Sequence, residues 1–113
     1  MNWLCSLLHR FRALILRRYR LVRVQELPDR LKSRRVYAEA EGVDLWFATM
    51  LCPEGCGESI HLSLVPGDYP RWHLIEHSDG TVSLQPSVWR TKGCRSHFVL
   101  QRGRVLWCHE STS

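Results

Sequence analysis

Long apolar runs are missing from this chain, and no stretch approaches the ~20 apolar residues that a membrane-crossing helix needs. A secretory leader needs an unbroken apolar centre, and here His9, Arg10, Arg12, Arg17, Arg18 and Arg20 break up the first twenty residues. Internal repeats, low-complexity tracts and linker-like stretches are also lacking, which argues against an array or a string of modules. Acidic residues are scarce at one end only. Residues 1–35 hold ten Lys or Arg against Glu26 and Asp29, a balance of +8, and residues 36–113 hold six against nine acids, a balance of −3. The net charge of +5 therefore belongs to the N-terminal segment. The five cysteines are an odd number for a disulfide framework. Without an export signal, the expectation is a cytoplasmic chain with reduced thiols, where clustered cysteines point to metal.

The 113 residues suit one domain with a modest core, to which a metal staple would add considerable stability. Trp3, Leu4, Leu7, Leu8, Phe11, Leu14 and Ile15 recur at helical spacing and predict a basic amphipathic helix over residues 1–20. Such a helix can engage an acidic partner or a membrane, or simply pack on its own domain with its arginines in water. Residues 21–113 read as a zinc-binding β domain. After a short strand at Leu21–Leu27, the period of two predicts strands at Val36–Ala40, Asp44–Leu51, Ile60–Val65, Trp72–Glu76, Thr81–Leu84, His97–Leu100 and Val105–Trp107. Turn signals at Glu41-Gly42, Pro66-Gly67-Asp68, Ser78-Asp79-Gly80 and Gln101-Arg102-Gly103 separate several of them. The expected fold class is mainly β (α+β), an N-terminal helix followed by a small antiparallel, barrel-like sheet stapled by one zinc.

Chemistry concentrates in the cysteines. Cys52 and Cys56 flank Pro53-Glu54-Gly55, with Gly57 following, and glycines permit the positive φ angles of a tight turn around a metal. Cys94 and His97 form a second spaced pair, and a hairpin about Arg102-Gly103 would bring Cys108 back beside them. Thiolates with imidazole favour zinc over magnesium or calcium. The first-choice ligand set is Cys52, Cys56, Cys94 and His97, and Cys108 can replace any of them. The plainer reading is that these cysteines are small buried apolar residues.

Four protein ligands make a closed structural site, whereas three leave a water whose pKa the metal lowers toward about 7. In that second case Glu58 is the candidate general base, against a plainer reading as a solvated acid. Ser96 is the candidate nucleophile if a base such as His61 approaches, against a plainer role in bonding backbone within the knuckle. Cys5 reads as a packing residue of the helix. Trp46, Trp72, Trp89 and Trp107 fall in or beside strands of the acidic half and read most simply as core residues, while the basic charge sits on the helix. That separation argues against a nucleic-acid surface.

The runs Leu51-Cys52-Pro53-Glu54-Gly55-Cys56-Gly57, Arg71-Trp72, Pro86-Ser87-Val88-Trp89-Arg90 and Gly93-Cys94-Arg95-Ser96-His97-Phe98 together resemble a family of small bacterial zinc-knuckle proteins. The resemblance covers about residues 25 to 108. It departs at Glu54, where many relatives carry a third cysteine, which suggests that the middle cysteine is not an essential ligand. Relatives tend to be encoded beside ubiquitin-like proteins and enzymes resembling ubiquitin-activating and ubiquitin-conjugating enzymes. The resemblance therefore implies a bacterial ubiquitin-like conjugation pathway, an antiphage defence setting, and as partners a ubiquitin-like protein or its conjugation enzymes. Two functions follow as expectations. One is a zinc-containing, deubiquitinase-like peptidase or isopeptidase acting on the modifier's C-terminal tail. The other is a non-catalytic zinc knuckle that recruits the modifier or a partner protein.

Overall fold

A computed structural model describes residues 18–90 and 95–108. Eight strands form in chain order: β1 Arg20–Val24, β2 Arg35–Glu41, β3 Asp44–Leu51, β4 Ser59–Ser63, β5 His73–Glu76, β6 Val82–Trp89, β7 His97–Gln101 and β8 Arg104–Trp107. They build two four-stranded sheets, ordered β1-β2-β3-β4 and β5-β6-β7-β8. All neighbours are antiparallel except β1 and β2, which run parallel.

The period of two in the sequence becomes two-faced strands. In β4, Ile60 and Leu62 turn inward while Ser59 and His61 face out, and in β7 Phe98 and Leu100 are buried. The inward residues of both sheets meet in one core, with Val36, Ala48, Met50, Ile60 and Leu62 from the first and Val82, Leu84, Val88, Phe98 and Leu100 from the second. Fully burying an aliphatic or aromatic side chain is worth about 1.5–3 kcal/mol, so this shared layer is what holds the sheets face to face.

The β7–β8 hairpin turns on Arg102 and Gly103, whose φ angles of 49° and 79° give the mirror-image turn that matches strand twist. Gly103 also docks on the start of the first sheet. Its carbonyl accepts from Tyr19 N at 2.8 Å and its amide donates to Val82 O at 2.8 Å. A Cβ at this glycine would lie 2.8 Å from Tyr19 O.

These findings overturn the expected fold class. The described residues are all-β, in two sheets with no helix among them, and the sheets do not close into a barrel. Strands β1 and β5 belong to different sheets, and among the described residues no ladder runs between them, only the isolated bridge of Arg20 with Thr81. The residues that carry the expected helical period, up to Ile15, lie outside the described residues. Where the 1–20 boundary overlaps them, Tyr19 is a core residue and Arg20 already opens β1. Among the described residues no helix is long and apolar enough to cross a membrane.

Candidate active site

The Cys52–Gly57 loop leaves the end of β3 and returns to β4. Cys52 N donates to Glu58 O at 2.8 Å and Gly55 N to Cys52 O at 3.1 Å, while Gly55 and Gly57 take φ angles of 83° and 85°. Cys52 is buried and Cys56 exposed. Arg90, at the end of β6, spans the loop. Its Nη2 donates to Glu58 Oε2 at 2.6 Å and its Nη1 to Cys56 Sγ at 3.5 Å. The bond to Glu58, and then the one to Cys52, keep the guanidinium more firmly protonated than an ordinary arginine. Ser96 closes the cluster from the other sheet, its Oγ 3.5 Å from Cys52 Sγ and its carbonyl accepting from Arg90 N at 2.8 Å.

Two thiols beside a cation form a donor set suited to zinc, because ligating thiolates take hydrogen bonds from just such neighbours. Cys94, the third thiol of the expected set, lies outside the described residues. Among the described residues no three of His, Cys, Asp and Glu come together as a metal-holding group.

Consecutive residues on a strand face opposite ways, and the Ser96-His97 step divides the site accordingly. Ser96 turns inward and is 3% exposed. His97 opens β7 on the outer face, opposite Trp89 of β6. There its Nε2 lies 3.0 Å from Ser87 Oγ. The Trp89 indole stacks on the imidazole with centroids 5.0 Å apart and planes 15° from parallel. Nδ1 of His97 is buried and has no hydrogen-bond partner among the described residues.

Ser87 owes its place to an irregularity. The β6–β7 register passes from Leu84↔Leu100 directly to Val88↔Phe98, so Gln85, Pro86 and Ser87 share the span of one β7 residue. Proline has no amide to give a ladder and is confined to edges and bulges, and Pro86 sits in this bulge. The Trp72 indole Nε1 donates to Ser87 O at 3.2 Å and holds the bulge from the β5 side.

The expected site residues that lie among the described ones can now be placed. Glu58, the candidate base, has its carboxylate on Arg90. Ser96, the candidate nucleophile, lies against Cys52 in the core. His61, its suggested base, bonds Thr49 Oγ1 at 3.0 Å and Ser59 Oγ at 3.4 Å. The Cys108 amide donates to His97 O at 2.9 Å, so the hairpin does return Cys108 to His97. Trp72, expected in the core, packs against it partly buried, whereas Trp89, expected there too, is exposed on the outer face. Ser87 carries no signal in the sequence beyond standing in the motif run Pro86-Ser87-Val88-Trp89.

The arrangement can do nucleophilic chemistry. A half-exposed serine hydroxyl within hydrogen-bond reach of an imidazole is the pairing that activates serine toward a carbonyl. Comparison with curated proteins and with solved structures finds no match. Residues 23–108 match the BubE family, described as bacterial ubiquitination-like system serine protease, and the chain belongs to that family.

Proposed function

We propose that this protein is a serine peptidase or isopeptidase acting on the C-terminal tail of a ubiquitin-like modifier, with Ser87 as nucleophile and His97 as general base. The observation that carries the reading is the Ser87–His97 contact of 3.0 Å on the outer face of β6 and β7. Ser96, the other serine beside motif residues, is 3% exposed and out of reach of a substrate.

In this mechanism Ser87 Oγ attacks the carbonyl carbon at the end of the tail while His97 Nε2 takes its proton. The imidazolium then returns that proton to the leaving amine as the C–N bond breaks, leaving an ester on Ser87. Water, deprotonated by His97, cleaves the ester and restores the serine. Proton transfer by a positioned group of this kind is worth about 10²–10⁴ in rate.

The zinc keeps a structural place in this reading. Cys52, Cys56 and Cys94 are its proposed thiolate ligands, with Arg90 donating to the sulfurs. His97 is assigned to the serine rather than to the metal, and no step passes through the ion.

The test is cleavage of a ubiquitin-like protein carrying a C-terminal extension. Ser87→Ala should lose more than about 10³-fold in rate with an unchanged fold. Ser96→Ala and Glu58→Gln should continue to cleave. Cleavage by Ser87→Ala at the wild-type rate overturns the assignment of the nucleophile. Loss in Glu58→Gln with metal retained would instead favour a zinc-bound water as the attacking group.

A further inference from the structure

We infer that the free edge of β4 is the substrate-binding strand of this enzyme, taking an extended peptide by β-addition in the cleft it shares with Trp72 and Trp89. The inference rests on the serine-peptidase reading above and adds how the tail is held.

The hydrogen-bond phase of β4 decides which groups are available. Cys52 N donates to Glu58 O and Leu64 N donates to Trp46 O, and both pairs continue the register that sets Met50 opposite Ile60. Residues 58, 60, 62 and 64 therefore bond inward to β3. In an antiparallel pair the alternate residues point their amides and carbonyls away from that partner. On β4 these are Ser59, His61 and Ser63. The chain confirms the phase once, since Ser63 O accepts Trp72 N at 2.8 Å from the outer side. Among the described residues no backbone group meets the outward amides and carbonyls of Ser59 and His61.

An unpaired edge is ordinarily either blocked or used. This one borders a cleft of about 300 Å³ lined by Ser59, His61, Trp72, Val88, Trp89 and Arg90. Thr49 holds the His61 imidazole at 3.0 Å. Two tryptophans that line the cleft also touch the reactive pair. Trp72 bonds the Ser87 carbonyl at 3.2 Å, and Trp89 stacks on His97 at 5.0 Å. A peptide laid on β4 makes main-chain bonds at Ser59 and His61 and meets indole walls on its other side. The ligand class is thus an unfolded, extended segment recognised largely through its backbone, such as a flexible protein tail.

The test separates the amide from the side chain at His61. His61→Pro removes only an outward N–H from the backbone, which an edge strand tolerates, and should raise KM for the extended ubiquitin-like protein by roughly tenfold. His61→Ala, which restores the amide, should restore KM. A second measurement does not depend on the proline variant folding. In full-length Ser87→Ala protein, amide exchange at Ser59 and His61 should slow at least about tenfold on adding the uncleaved substrate. Equal KM for the two His61 variants, or no protection of those amides, overturns the cleft while Ser87→Ala remains inactive. Cleavage that survives in Ser87→Ala overturns the serine reading instead.

Discussion

Replacing Trp89 tests whether an indole performs the orienting task that a carboxylate performs in a triad. His97 Nδ1 has no acceptor among the described residues, so the imidazole is held by its bond to Ser87 and by the stack on Trp89. Aromatic stacking is worth about 0.5–1.5 kcal/mol, and an indole face over a developing imidazolium adds about 0.5–1 kcal/mol at an exposed site. The stack thus stabilises the transition state by roughly 1–2.5 kcal/mol, which corresponds to a loss of about 5- to 70-fold in kcat for Trp89→Leu. Trp89 is 57% exposed, so the substitution removes little buried area and the fold should survive. Trp89→Phe keeps an aromatic face and should recover most of the rate. Kinetics on the extended ubiquitin-like protein separate this effect from binding, since the stack acts chiefly on kcat whereas the cleft wall acts on KM. Labelling of Ser87 by a fluorophosphonate provides a reading without protein substrate and should slow in parallel. Equal kcat for Trp89→Leu and wild type, with equal labelling rates, refutes the reasoning.

Two further outcomes follow from backbone and metal. Gly103→Ala places a Cβ 2.8 Å from Tyr19 O at a φ of 79°, combining left-handed strain with loss of the Tyr19 bond, and should cost about 2–4 kcal/mol by thermal melting. Gly42→Ala has a similar φ of 64° and nothing within 4 Å, so only the strain of about 1–2 kcal/mol should appear, and equal losses at the two sites would refute the close docking. Purified protein should carry about one zinc per chain, and Cys52→Ser should lose both metal and melting temperature, because binding energy in such a site is folding energy. Metal analysis without zinc in a folded, fully thiol-titratable protein would remove the staple.

Alternation of buried and exposed residues made most of the strands legible. Asp44–Leu51 coincides with β3, and the hairpin about Arg102-Gly103 forms as spaced. The sequence pattern places β6 at Thr81–Leu84, short of Pro86, which a central strand does not normally hold. The strand continues to Trp89 through a bulge, and the missed extension is the segment that carries Ser87. The knuckle glycines were readable because a tight turn demands positive φ. The partner of His97 was not. Spacing along the chain joined His97 to Cys94, but strand alternation turns it away from Ser96 and toward a serine ten residues upstream. The bridging role of Arg90 also depends on the meeting of two sheets, which no local pattern encodes. The barrel expectation failed because short strands with tight turns suit a closed sheet and two stacked ones equally. The residues that carry the expected helical period lie outside the described residues.

One peptide unit separates the hydroxyl wedged against Cys52 from the imidazole beside Ser87. That unit is planar and stiff, with successive Cα atoms about 3.8 Å apart, so the two cannot move independently. Any rearrangement of the Cys52 loop that displaces Ser96 drags His97, the proposed base, with it. Because a misplacement of about 1 Å can cost 10²-fold in rate, the loop acts as a mechanical footing for chemistry it never touches. Damage to the cysteines would therefore register first as a slower enzyme and only later as an unfolded one.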